Sequence, residues 1–312
     1  MENPTSTHNE PIRYSGHPAL VDVAVLILFF NRPNQLSQVF EQVKKARPSR
    51  LFLYQDGARN EKDLPSIEAC RKVVTDIDWE CEVHHNYQTQ NAGCDPSNYN
   101  AQKWAFSLAD KCIIFEDDSI PSVSFFRFCK EMLDRYEHDT RISMIAGFNN
   151  EEITPDVPYD YFFATTFSIW GWASWRRVIA QWDEHYTFLD DRFSMSQLEN
   201  LIATRRYRND FTYMCHRHRE HGKAYYETIF HASILFNSGL SIVPTRNMIN
   251  NLGATADSVH FGSSLRTLPH GYRRIFTMKR YEVDFPLKHP RYVIEHTPYK
   301  ESVYRIMGWR HP

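Results

Sequence analysis

For its first 150 residues the chain alternates between short apolar runs and amphipathic stretches. Val23 to Phe30 is nearly all apolar and β-rich, the pattern of a strand buried on both faces. Asn31-Arg32-Pro33 ends that run, and Leu36, Val39, Phe40 and Val43 then recur at helical spacing within residues 34–46. The same reading predicts strands over 51–54, 79–85, 112–115 and 142–146. It places helices over 64–76, 98–108 and 125–136, with a turn at Asn91-Ala92-Gly93. Repeated β-α units of this kind imply an α/β fold with a mainly parallel sheet flanked by helices. Beyond residue 150 the alternation fades. Tyr159 to Trp182 is crowded with aromatics, 195–221 reads as one or two helices rich in Arg and His, and 233–243 looks strand-like, closing at Pro244. From Asn247 the chain reads as loop, including Asn250-Asn251-Leu252-Gly253.

Composition narrows the class. With 312 residues, 42% hydrophobic and 24% charged, the chain has ample core for a globular protein. A net charge of −2 gives no reason to expect nucleic acid as a partner. Six scattered cysteines without a Cys-x-x-Cys pair read as reduced thiols, and residues 1–17 lack the charged and apolar regions of a signal peptide. These features predict a cytoplasmic protein, with peripheral membrane contact through its basic segments left open. The absence of Gly-x-Gly-x-x-Gly and Gly-x-x-x-x-Gly-Lys disfavours a dinucleotide fold and a P-loop.

The candidate chemistry gathers at strand ends. Ile113-Ile114-Phe115 runs directly into Glu116-Asp117-Asp118, and three like charges that close repel unless a cation or solvent neutralises them. Hard divalent ions take oxygen ligands and commonly share them with substrate phosphates, so the run suits a metal–diphosphate. It also reads as an acidic turn before a helix, with Asp118 or Ser119 as cap. Ligands of parallel sheets bind beyond the carboxyl ends of the strands. There Asn31-Arg32, Asp56-Gly57 and the three acids should converge. Arg246, after Pro244, is a candidate diphosphate clamp or an ordinary solvated arginine. Glu227, ahead of the apolar segment from Ile229, is the favoured general base, with Asp183, Glu184, Asp190 and Asp191 as rivals. Trp170-Gly171-Trp172 offers rings for stacking on sugars, and Asn149 follows a strand where it can meet hydroxyls; core filling and a turn are the plainer accounts. His216, His218 and His221, interleaved with Arg217 and Arg219, read as a solvated basic face ahead of a zinc site.

Taken in order, Phe30-Asn31-Arg32, Gln55-Asp56-Gly57, Glu116-Asp117-Asp118, Ala146-Gly147-Phe148-Asn149, Trp170-Gly171-Trp172, Tyr226-Glu227 and Val243-Pro244 resemble the GT-A nucleotide-sugar glycosyltransferases. The likeness is to the family of the N-acetylglucosaminyltransferase that initiates complex N-glycans and to bacterial family-2-like enzymes. It implies a GT-A type Rossmann-like sheet with a C-terminal acceptor-side subregion. The implied division is a flexible tail over 1–20, a nucleotide-sugar-binding half over 21–150, an acceptor and catalytic half over 151–265 and an extension over 266–312. The resemblance further implies that Arg32 contacts the nucleotide, Asp56 the uracil or ribose, and Asp117 the ribose. Asp118 would ligate Mn²⁺ or Mg²⁺, and Trp170-Gly171-Trp172 would wall the acceptor or donor. Two motifs depart from the family: Tyr226-Glu227 stands where Trp-Asp is usual, and His260-Phe261 where His-Thr is usual. Glu227 as base and His260 as metal contact carry that departure. The implied activity is metal-dependent, inverting transfer of a sugar from a nucleotide diphosphate, UDP favoured and UDP-GlcNAc as one candidate, to a glycan or lipid-linked glycan. The alternatives are a sugar-nucleotide nucleotidyltransferase and a non-catalytic sugar- or nucleotide-binding protein.

Overall fold

The computed structural model describes residues 10–166, 168–253 and 270–309. The strands are β1 (Ile12–Tyr14), β2 (Val21–Phe29), β3 (Pro48–Gln55), β4 (Cys81–Tyr87), β5 (Lys111–Glu116), β6 (Ser119–Pro121), β7 (Ile142–Ala146), β8 (Tyr161–Ala164), β9 (Trp172–Trp175), β10 (Leu240–Pro244) and β11 (Ile249–Asn251). The helices are α1 (Pro33–Ala46), α2 (Leu64–Val74), α3 (Cys94–Leu108), α4 (Ser124–Arg135), α5 (Arg176–Ile179), α6 (Arg192–Leu201), α7 (Arg205–His221), α8 (Tyr226–Phe236), α9 (His270–Ile275) and α10 (Thr297–Ile306).

Nine strands form one sheet in the order β1-β4-β3-β2-β5-β9-β7-β10-β8, and β6 pairs with β11 apart from it. From the pairings, β2, β3, β4, β5, β7 and β10 point one way and β1, β8 and β9 the other. The fold is thus the expected α/β architecture with a mostly parallel sheet. β2 sits between β3 and β5, and Val25, Leu26 and Ile27 are wholly buried, which explains its unbroken apolar sequence. α1 lays Leu36, Val39, Phe40 and Val43 into the core, the predicted stripe. Pro33 opens that helix, where its missing N–H is no loss, and the carbonyl of Arg32 accepts from Leu36 N at 3.0 Å.

Four local expectations change. Order begins before residue 21, because β1 pairs antiparallel with β4. Residues 233–236 belong to α8, not to a strand; an apolar segment buried all round reads alike in either state. The fading alternation after residue 150 conceals β8 and β9, which pair antiparallel with their neighbours, whereas β10 forms the end of the expected strand over 233–243 and lies parallel to β7. The loop after Asn247 contains β11, held against β6 through Ile249↔Pro121 and Asn251↔Ser119.

Two glycines set the position of β11. Gly171 has φ +62°, in the left-handed region, and a Cβ there would lie 2.5 Å from Ile249 Cδ1. A Cβ on Gly147 would lie 2.5 Å from Ile249 Cγ1, and Gly147 N donates to the Gly171 carbonyl at 2.8 Å. Gly171 therefore admits Ile249, not a sugar.

The C-terminal segment wraps the sheet edge. Glu282 accepts from Val123 N (3.1 Å) and Ser124 N (2.7 Å), satisfying free amides at the start of α4. His296 N donates to Phe163 O at 2.7 Å, covering edge strand β8. No helix among the described residues is long and apolar enough to cross a membrane. Gly171→Ala should destabilise the protein by about 2–4 kcal/mol, from the left-handed backbone and overpacking together. In urea unfolding, combining it with Ile249→Ala should give less than the sum of the two losses. Strict additivity would mean that the glycine–isoleucine contact does not set this geometry.

Candidate active site

The turn after β2 aims Arg32 at the acids that end β5. The guanidinium forks onto Asp117: Nη2 pairs with Oδ1, and Nε lies 3.3 Å from Oδ2. The same Nη2 lies 3.0 Å from Asp118 Oδ2, so one arginine bridges two adjacent carboxylates. Phe30 N adds a weaker donor to Asp117 Oδ2 at 3.4 Å. Burial alone would lower the Arg32 pKa, but Asp117 and Asp118 hold it above its ordinary value. Asp117 is 2% exposed; burial pushes its carboxyl up against the opposing pull of Arg32. Glu116 is pushed up further, by burial first and then by Asp118, Glu227 and Asp117.

Asp118 is enclosed by chain from the β11 side. Its Oδ1 faces Ser119 Oγ (3.4 Å) and Asn251 Nδ2 (3.5 Å), and its carbonyl accepts from Leu252 N at 2.8 Å. A Cβ on Gly253 would come within 2.9 Å of Asp118 Oδ2, so only a bare backbone fits there. The β6–β11 pairing thus makes Asn251, Leu252 and Gly253 part of the site, from a stretch whose sequence reads as plain loop.

On the other flank, α8 brings in Glu227. Tyr226 Oη donates to Glu116 Oε1 at 3.2 Å, and Glu227, in the first turn of α8, neighbours the carboxyl of Asp95 in the first turn of α3. Burial, then the neighbouring Asp95, push Glu227 up to about 8. Helix N-termini favour negative charge, which partly offsets this crowding. Glu116, Asp117, Asp118, Glu227 and Asp95 form a chain of carboxyls. On Glu116 and Asp117 the opposing cation is Arg32.

Asp95 was not evident from the sequence, where an acid just after Gly93 reads only as a helix start. Asp56 explains its placement. Oδ1 of Asp56 accepts from Gly57 N (2.9 Å) and Ala92 N (2.9 Å), and Oδ2 from Asn91 Nδ2 (2.8 Å) and Gly93 N (3.0 Å). All four lone-pair positions of the carboxylate are taken, so Asp56 ties the loop that starts α3 and has none left for a base or ribose. Asn31 is likewise engaged, donating to Asp63 Oδ1 at 2.9 Å.

Other candidates stand apart. Asn149 is fully buried, and its Nδ2 donates to Thr154 Oγ1 (3.0 Å) and Pro244 O (2.9 Å) while its Oδ1 accepts from Glu151 N (2.8 Å). It clamps two loops and has nothing left for a sugar. Trp172 is fully buried against Phe230 at 4.8 Å, a core residue, and Trp170 packs edge-on to Phe148 at 4.9 Å. Arg246 is exposed, 5.9 Å from the Tyr281 ring centre. His260 lies outside the described residues. The rival bases have local duties. Asp183 accepts from Thr187 N at 2.6 Å, Asp190 pairs with Arg219 at 2.9 Å, and Asp191 caps α6. Glu184 interacts with Tyr99. His218 stacks on Tyr225 at 3.7 Å, and its Nδ1 lies 2.7 Å from Thr228 Oγ1, which accounts for it without zinc.

Among the described residues no group of three or more His, Cys, Asp or Glu side chains is arranged to enclose a metal ion. Of the Asp117 and Asp118 oxygens, Arg32 leaves open Asp118 Oδ1, which meets Ser119 Oγ at 3.4 Å and Asn251 Nδ2 at 3.5 Å. Such a donor set suits an ion that keeps water and takes its remaining ligands from substrate phosphates. A cavity of about 740 Å³ opens at the opposite, amino-terminal edge of the sheet, lined by residues such as Arg50, Glu82 and Lys111. Its charges are paired with one another, as in Arg50–Glu82 (3.1 Å) and Lys111–Glu137 (2.8 Å).

No family model matches the chain, and no curated protein matches it. Solved structures similar to it include the apo form of mouse xyloside xylosyltransferase 1, at 11% identity and a TM-score of 0.36, covering 69% of this chain and 81% of that one. Another is a putative glucose-1-phosphate thymidylyltransferase from Bacillus anthracis in complex with a sucrose, at 12% identity and a TM-score of 0.29, covering 51% of this chain and 73% of the other. At these scores neither likeness bears on what the chain does, and the functional reading rests on the site itself.

Proposed function

We propose that the protein is an inverting, metal-dependent glycosyltransferase that takes a sugar from a nucleotide diphosphate, UDP-GlcNAc being one candidate, and passes it to a glycan or lipid-linked glycan hydroxyl. The observation that carries the reading is the bridge of Arg32 across Asp117 and Asp118 at the carboxyl ends of β2 and β5, with Glu227 in the same acid cluster. A site with excess carboxylate and one arginine favours added positive charge, which a divalent ion supplies to the carboxylates while its other face meets the diphosphate. Asp118, backed by Asp117, would hold Mn²⁺ or Mg²⁺, which offsets charge on the diphosphate. Arg32 serves the same diphosphate with its fork. Asp56 positions the loop that carries Asp95.

In the transfer, Glu227 accepts the proton of the acceptor hydroxyl, and that oxygen forms the new bond to the anomeric carbon. The bond from that carbon to the diphosphate oxygen breaks, and its electron pair leaves with the diphosphate. A single displacement of this kind inverts the centre. Asp95 keeps Glu227 basic: a neighbouring like charge disfavours ionisation and raises the affinity for the incoming proton.

A thermal-shift screen of UDP-, GDP- and dTDP-sugars with and without Mn²⁺ tests the reading. One donor in hundredfold excess over its Kd should add about 2.7 kcal/mol of apparent stability, and only with the metal. Equal shifts without Mn²⁺, or none for any donor, would sink it. With the donor in hand, Glu227→Gln should lower kcat by about 10²–10⁴-fold, as expected when a positioned base is lost, while donor binding persists.

Two pH effects follow from Glu227. The folded protein holds its proton up to about 8, whereas the unfolded chain releases it near the ordinary 4.5, so stability from this group falls as pH rises between those values. Glu227→Gln should therefore flatten that decline in denaturant titrations from pH 5 to 8; an unchanged slope would show that the carboxyl is not perturbed. Asp95→Asn removes the like charge, so the acid limb of the kcat/KM profile should move to lower pH. An acid limb left in place would assign Asp95 a structural role.

A further inference from the structure

Apart from the acid pocket, the α6–α7 hairpin carries an unpartnered surface of unusual composition. Phe193, in the first turn of α6, is 72% exposed, and Tyr213 and Met214 on α7 are 58% and 42% exposed. Residues 190–223 contain seven Lys and Arg against five Asp and Glu, an excess of +2 in a chain of net charge −2. The two helices run side by side with a groove of about 340 Å³ between them, lined by Met195, Leu198, Thr212, Tyr213 and His216 among others. Glu199 at the end of α6 reaches Arg208 near the start of α7 (3.4 Å), and Asp190, just before α6, reaches Arg219 near the end of α7 (2.9 Å). The helices are therefore antiparallel, which sets Phe193 beside the Tyr213–Arg217 stretch. Arg217 donates to Tyr213 Oη at 3.1 Å and, like Arg192, Arg205 and Lys223, has no carboxylate partner among the described residues.

An aromatic tip flanked by the unpaired Arg192 and Arg217, with Asp191 held as the cap of α6, matches one chemistry: an anionic bilayer, with apolar side chains entering the headgroup region and the arginines meeting lipid phosphates. We infer that the α6–α7 hairpin, led by Phe193, Tyr213, Arg192 and Arg217, is a membrane-docking surface for anionic lipid. Residues 222–225 join α7 to α8, the helix that carries Glu227, so a bilayer docked on this hairpin would suit a lipid-linked acceptor. That consequence rests on the transferase reading; the docking surface itself does not.

Co-sedimentation of the full chain with phosphatidylcholine vesicles, alone or with 30% phosphatidylglycerol, tests the inference without any sugar substrate. Binding is expected only to the anionic vesicles, and it should weaken as salt is raised. Arg192→Glu/Arg217→Glu should lower vesicle partitioning on the order of a hundredfold, and Phe193→Ser about tenfold. Phe193→Trp supplies a positive readout, since its indole emission should shift to the blue when anionic vesicles are added. All three positions lie on the surface, and an unchanged thermal melt will show that the variants fold. No pelleting with anionic vesicles, wild-type pelleting by the charge-reversed variant, or a concentration-dependent dimer that Phe193→Ser abolishes in place of lipid binding would each overturn it.

Discussion

The site is organised by one guanidinium set against a run of carboxyls. Arg32 satisfies Asp117 in forked geometry and reaches Asp118, yet Glu116, Glu227 and Asp95 continue the chain of acids without a cation of their own. Folding such a cluster away from water is unfavourable unless protons or cations enter with it. The protein meets the constraint in two ways. Near Arg32 the acids are paired, and further along burial raises the pKa of Glu116 and of Glu227, so that protons enter with them as pH falls. Such a cluster suits the proposed transfer, since it favours added positive charge at one end and at the other Glu227, once ionised, binds a proton strongly.

The scaffold delivers these groups from distant parts of the chain. β2 and β5 lie side by side, so Arg32 and Asp117 meet across 85 residues. The Gly147–Gly171 pair makes room for Ile249, Ile249 seats β11 on β6, and that pairing sets Asn251 and Gly253 against Asp118. Asp56 fixes the loop ahead of α3 and through it the position of Asp95. Several residues that look functional in isolation are part of this support. Removing them would disturb the site without their touching a ligand.

How much of this could be read from the sequence varies with the kind of signal. The parallel half was legible because a strand buried on both faces shows as an unbroken apolar run, and the helices between show 3.6-residue spacing. The convergence of Asn31-Arg32, Asp56-Gly57 and Glu116-Asp117-Asp118 followed from topology alone. The second half was opaque because β8 and β9 are short and α8 is apolar on all sides, so period no longer separates helix from strand. Side-chain roles were harder still. Trp172 has the same sequence signature as core filler or as sugar platform, and only its packing on Phe230 decides. Asn149 looks like a free polar residue until Pro244, 95 positions on, takes its amide. Asp95 hid among ordinary helix-start residues, since nothing local to it reveals that Glu227 lies opposite.

In the proposed function Asp118 and Arg32 hold a divalent ion and a nucleotide diphosphate between them. Anomalous diffraction from crystals soaked in MnCl₂ and UDP tests it most directly. The account predicts a manganese peak on the Asp118 carboxylate, with the diphosphate within reach of the Arg32 guanidinium. UDP bound at another edge of the sheet, or bound here with no manganese and Arg32 still bridging Asp117 and Asp118, would contradict it.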